Sequence, residues 1–135
     1  MTKKIIILLI VLLVAGLGYL YLNKNQQSKT EIEKDQIYLS ISKDFKSDIN
    51  LAGSKVQVNL NLINDNLQKQ IGTKEGQNFL GGLVTGYMAI VVSEHVNKYD
   101  SIEIVLFDKY GSQFYRKILT KKDVDSLRNA GYTRE

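Results

Sequence analysis

Residues Ile5 to Leu22, IIILLIVLLVAGLGYLYL, run for 18 positions without a charge, directly behind Lys3 and Lys4. Thirteen of the 18 are Ile, Leu or Val. As a helix the run spans roughly 27 Å at about 1.5 Å per residue, close to the ~30 Å hydrocarbon core of a bilayer. Those thirteen side chains together favour insertion by roughly 4–8 kcal/mol as an upper bound. Tyr19 and Tyr21 stand at the far end, where amphipathic rings prefer the headgroup level. Gly16 and Gly18 are compatible with a bilayer helix, whose backbone hydrogen bonds are internal.

The run is therefore expected to be a single transmembrane anchor from Ile5 to Leu22, in contact with the lipid bilayer. The alternative is a cleaved signal peptide, with Lys3 and Lys4 as its charged region and Ile5 to Ala15 as its apolar region. Val14-Ala15-Gly16 and Gly16-Leu17-Gly18 are poor cleavage sites, and the apolar run continues past both. Lys3 and Lys4 flank the run at once, whereas Lys24, Lys29 and Lys34 are spread out. The expected orientation is N-terminus in the cytoplasm and the domain periplasmic or extracellular.

The polar stretch Asn23 to Thr30 reads as a short tether, too short to hold the domain far from the membrane. Residues 31–135 are enough for one small domain. The chain has no Cys, which excludes disulfides and thiolate metal sites. Net charge is +4, and Lys3 and Lys4 account for two of the positive charges. The rest is an ordinary mixed surface, so no nucleic-acid partner is expected.

From Glu31 to Ala52, Tyr38, Ile41, Phe45, Ile49 and Ala52 recur at steps of three and four. This spacing predicts an amphipathic helix, stopped by Gly53. From Ser54 to Ile63 the period changes to two. Val56, Val58, Leu60 and Leu62 alternate with Gln57, Asn59 and Asn61, as in a half-buried strand whose polar side is a row of amides. Asn64-Asp65-Asn66 supplies turn chemistry, and Leu67 to Gly76 is a connection with room for one helical turn.

Thr73 is placed to cap a helix from Lys74 to Lys98. Its stretch from Gln77 to Ser93 is uncharged and apolar around nearly the whole circumference, so it must be buried on several sides. Gly82, Gly86, Ala89 and Ser93 form a stripe of small residues, with Gly82 and Gly86 at GxxxG spacing. The stripe is a candidate interface for a second copy or for another backbone of the same chain.

Ser101 to Phe107 and Ser112 to Leu119 read as paired strands, joined by a turn in which Gly111 takes positive φ. Placing Asp108 opposite Ser112 puts Ile102, Ile104 and Leu106 on one face with Phe114 and Ile118. Arg116 then falls on that apolar face opposite Ile104, where it would snorkel at an edge or pair with a carboxylate, and it is a candidate site residue. Thr120 caps a final helix, Lys121 to Ala130, with Gly131 as its stop. Arg116, Lys117, Lys121 and Lys122 form a basic cluster that reads as solvated surface.

Chemistry is sparse. The single His, His95, has Ser93 and Glu94 beside it in sequence, but they point about 200° and 100° away around a helix. They form no Ser-His-acid arrangement by themselves. A zinc site would need carboxylates for most of its ligands. No phosphate-binding glycine loop or nucleophile elbow occurs, and no cofactor is expected.

The expected fold is α+β. A transmembrane helix precedes an α-β-α-β-β-α domain with a three-stranded mixed sheet. Its parallel pair is joined by a crossover. The expected role is a non-catalytic interaction or assembly module in a bacterial envelope, with a homo-oligomer or an envelope protein as partner. The alternatives are a secreted domain that binds a small ligand and a hydrolase using dispersed carboxylates.

Overall fold

The computed structural model describes residues 28–131, together with Ala15. Apart from Ala15, the run from Ile5 to Leu22 lies outside the described residues. No helix among those described is long and apolar enough to cross a membrane.

Helix α1 occupies 28–34 and breaks at Asp35, whose backbone is extended. There follow α2 (Gln36–Ser42), β1 (Phe45–Ala52), β2 (Lys55–Leu62), α3 (Asp65–Gln70), α4 (Lys74–His95), β3 (Ser101–Phe107), β4 (Gln113–Thr120) and α5 (Lys121–Asn129). The result is a small α+β domain with a four-stranded mixed sheet in the order β1-β2-β3-β4. The β1–β2 and β3–β4 pairs are antiparallel, and the central β2–β3 pair is parallel.

The sheet has four strands rather than three, because the expected helix from Glu31 to Ala52 is two short helices and a strand. Phe45 and Ile49 are both buried. A step of four keeps two residues on one face of a helix and also on one face of a strand, so that spacing does not separate the two periods. Ser47 and Leu51, half-buried on the same side, complete the strand's alternation. Gly53 does not stop a helix. It takes φ 65° in the two-residue loop between paired Ala52 and Lys55, as a tight hairpin with glycine in the first loop position requires.

The core lies on one side of the sheet. Val56, Val58, Leu60 and Leu62 of β2 and Ile102, Ile104 and Leu106 of β3 are buried there. Helix α4 packs over β3 and β4 and is flanked by α2 and α5. That position explains its nearly all-round apolar character: Leu80, Val84, Met88, Ile90, Val91 and Val92 are all buried. Phe79 and Leu83 remain on its outer side. Its start is capped by the Thr73 hydroxyl, which accepts from Gly76 N–H at 3.1 Å. It ends at His95 rather than Lys98.

The β3–β4 pair departs from the expected register. Ile104 lies opposite Lys117, Val105 opposite Arg116, and Glu103 opposite Ile118. The cause is an irregularity between Leu106 and Phe107: Leu106 pairs with Tyr115 and Phe107 with Gln113, leaving Phe114 as the extra residue. One extra residue moves every later side chain to the other face. Leu119 is therefore the buried residue of β4, and Ile118 is exposed. Gly111 in the turn has φ 87° and Gly131 after α5 has φ 105°, both as expected.

Candidate functional site

Among the described residues, the helices that contact the sheet, α2, α4 and α5, pack on its core face, and the polar side chains of the opposite face are exposed or half-buried. Strand alternation places Lys46, Asp48 and Asn50 of β1 on this open face, beside Asn61, Asn59 and Gln57 of β2 respectively. Across the parallel pair, Gln57 neighbours Glu103, Asn59 neighbours Val105, and Asn61 neighbours Phe107. Val105 is buried among its neighbours, whereas Phe107 is half-buried.

The four amides Asn50, Gln57, Asn59 and Asn61 make no side-chain hydrogen bond among the described residues. Each carries a carbonyl acceptor and two N–H donors. A shallow hollow of about 370 Å³ lies at one end of the row, lined by Lys46, Asp48, Asn59, Asn61, Phe107 and Gly111. The β3–β4 turn forms part of its rim. Asp108 Oδ1 holds that turn by accepting from Tyr110 N–H at 2.9 Å and Ser112 N–H at 2.8 Å. The turn is docked on α3 by Lys109, whose N–H donates to Gln68 at 2.9 Å and whose ammonium pairs with Asp65.

At the other end of the face the charges are internally compensated. Glu103 accepts from Lys55 Nζ at 3.1 Å and from Arg116 at 3.4 Å. The Lys55 ammonium, and then the Arg116 guanidinium, hold its carboxyl below the ordinary value. Arg116 thus stands on the open face and not on the apolar one, and a carboxylate is its partner. Its expected companions in the basic cluster do not all share its face, since Lys117 is on the helix-bearing side by register and Lys121 lies 5.5 Å from the Tyr99 ring centroid.

The small-residue stripe of α4 is open at Gly82 and more enclosed further along the helix. The Tyr115 hydroxyl is 4.0 Å from where a Cβ at Gly82 would stand. Gly86 and Ala89 are buried. The Ser93 hydroxyl accepts from the Arg128 guanidinium of α5 at 2.6 Å.

A second polar grouping joins the first helices to the end of α4. Asp35 caps α2, its Oδ1 accepting from Ile37 N–H at 2.9 Å. Its Oδ2 is 2.8 Å from His95 Nε2, and the Asp35 side chain is fully buried while His95 is 24% exposed. Glu94 completes the group: one ligand-type atom from each of Asp35, Glu94 and His95 lies within 4.8 Å of the others. Sequence reasoning found His95 alone. The 60 residues between His95 and Asp35 leave no local signal of their meeting. The β1 contribution to the open face was missed for the same reason as the strand itself, whereas the amide row of β2 was legible from its alternation.

Compared with protein-family models, with curated proteins and with solved structures, the chain matches none of them.

Proposed function

We propose that this chain is a single-pass membrane protein, anchored by residues 5–22, that presents a non-catalytic binding domain on the outer side of a bacterial membrane. We further propose that its open sheet face binds a neutral, polyhydroxylated ligand, such as an envelope glycan. The observation that carries this reading is the row of Asn50, Gln57, Asn59 and Asn61, exposed or half-exposed and without side-chain partners among the described residues. Side-chain amides match hydroxyl groups well because each donates and accepts.

The adjoining charges favour a neutral ligand. Lys55 and Arg116 are taken up by Glu103, and Lys46 and Asp48 offset each other, so no strong field of one sign covers the face. Phe107 at the hollow offers an apolar ring edge beside the amides. The anchor supports the reading independently, because it would confine the domain to the membrane surface facing such polymers.

The test uses the full-length chain in detergent micelles, with sedimentation on insoluble cell-wall polysaccharide. Wild type should co-sediment, and the double variant Asn59→Ala, Asn61→Ala should lose about tenfold or more in affinity while keeping its melting temperature, because both amides are exposed. Equal binding by both proteins, or none by wild type, would overturn the glycan reading. A C-terminal tag digested by protease outside intact spheroplasts supports the orientation. A tag protected there, or a shortened chain free in the medium, overturns it.

A further inference from the structure

We infer that the free edge of β1 docks a second copy of this chain, the two β1 strands pairing antiparallel about a twofold axis at Ser47. The strand order β1-β2-β3-β4 puts β1 at one end of the sheet. The Ile63 N–H donates to the Asp44 carbonyl at 2.8 Å, one step beyond the Phe45–Leu62 pair. Opposed residues of an antiparallel pair exchange bonds at every second position only. Lys46, Asp48 and Asn50 therefore bond to β2, whereas the N–H and C=O groups of Phe45, Ser47 and Ile49 are directed at the open edge. Among the described residues, no other backbone segment bonds to those three.

Exposed edges are normally blunted by charge or by a bulge. β4, at the other edge, has both: Arg116 and Lys117 put two adjacent, exposed cations on it, and the extra Phe114 breaks its register. β1 has neither device. It runs eight residues in unbroken register with β2. Its exposed charges are one of each sign, Lys46 and Asp48, and neither is in an ion pair among the described residues.

Those two charges select the occupant and the register. Placing Ser47 opposite the partner's Ser47 sets Lys46 opposite the partner's Asp48, and Asp48 opposite the partner's Lys46. Both pairs fall at positions without exchanged bonds, where opposed Cα atoms are closest, about 4.5 Å, and opposite charges there are stabilising. Phe45, Ser47 and Ile49 supply the exchanged backbone bonds. The neighbouring register that keeps this bonding pattern sets Asp48 opposite the partner's Asp48, which is unfavourable. The axis is perpendicular to the sheet, so both open faces lie on one side and their amide rows form a single surface. The pairing does not depend on what that surface binds. The proposed anchor would hold both copies in one membrane, where a high effective concentration lets a short interface suffice.

Sedimentation velocity of the full-length chain in detergent micelles tests the pairing. Wild type should be a dimer. Lys46→Asp and Asp48→Lys each set like charges across the axis, and each should self-associate about tenfold more weakly or worse. Mixed in equal amounts, the two variants should dimerise again, because each supplies the charges that the other lacks. The double variant Lys46→Asp, Asp48→Lys should also dimerise. Circular dichroism of every variant should match wild type, because both side chains are exposed. Recovery on mixing separates this edge from association through the anchor or the α4 stripe, neither of which contains these residues. The proposal is overturned by a wild type that stays monomeric up to about 0.1 mM, by single variants that associate as wild type does, or by a mixture no more associated than its components.

Discussion

Gly81 lies directly beneath Tyr115: a Cβ at position 81 would stand 2.3 Å from Cγ and Cδ2 of the tyrosine ring. The helix and β4 approach each other there as closely as only glycine allows. Gly82, one residue further on, has its nearest neighbour at 4.0 Å. The two glycines should therefore respond oppositely to the same change. Gly81→Ala forces the ring and its Cβ aside and should destabilise the domain by about 1–3 kcal/mol. Gly82→Ala meets no obstacle and should stabilise it by up to about 0.8–1.0 kcal/mol through helix propensity. Urea unfolding of both variants reads the difference, and the same sign at both sites would contradict the packing described.

Thr85 is 2% exposed in α4, and its hydroxyl oxygen has no hydrogen-bond partner among the described residues. Threonine usually returns such a bond to the preceding turn. Replacing it by valine preserves the shape and removes an unsatisfied polar atom. Thr85→Val should raise stability by about 1 kcal/mol. A loss of stability in thermal unfolding would show that the hydroxyl has a partner after all.

Asp35 combines a helix cap with a buried pair, so its removal should be costly. Asp35→Ala deprives Ile37 N–H of its acceptor and His95 of its partner. The expected loss is about 2–4 kcal/mol, combining a cap with a buried charge-assisted bond. Asp123→Ala, at the N3 position of the exposed capping box of α5, should cost less, because the Thr120 hydroxyl cap is retained. Denaturation midpoints of the two variants should fall in that order.

Glu103 is held below the ordinary carboxylate value of 4.5 by Lys55 and then Arg116. A lowered native value means that the folded state favours the ionised form. The contribution is thus complete above about pH 4.5 and is lost as pH falls through the lower native value. Both cations are about half exposed, which limits the effect to under about 1 kcal/mol. Glu103→Gln should be slightly less stable than wild type at neutral pH, and the gap should close in acid. A gap that is constant from neutral pH down to about pH 2 would show that packing, not charge, is responsible.

Much of the local structure was legible. The strand from Ser101 to Phe107 matches residue for residue, and the Thr73 and Thr120 caps and the Gly111 turn stand where turn and cap chemistry placed them. Two errors had local causes. Phe45 and Ile49 satisfy helix and strand periods equally, which hid β1. Phe114 is an extra residue in β4, which reversed the faces assigned to Arg116 and Ile118. Neither ambiguity can be resolved without the neighbouring strand, because a pairing partner decides between the periods and sets the register.

The sequence by itself determined the periods, caps and turns, and it marked α4 as a helix to be covered on several sides. Those properties depend on residues a few positions apart, whose interactions are set by backbone geometry alone. Only the tertiary structure decided which polar side chains remain unpaired and which distant ones meet. The amides of β2 became a surface because the described helices that contact the sheet, α2, α4 and α5, packed against its other face. His95 became one member of a three-residue group because the fold brought Asp35 back across 60 residues. Such meetings follow from how whole elements bury their apolar faces, and no short stretch of chain encodes them.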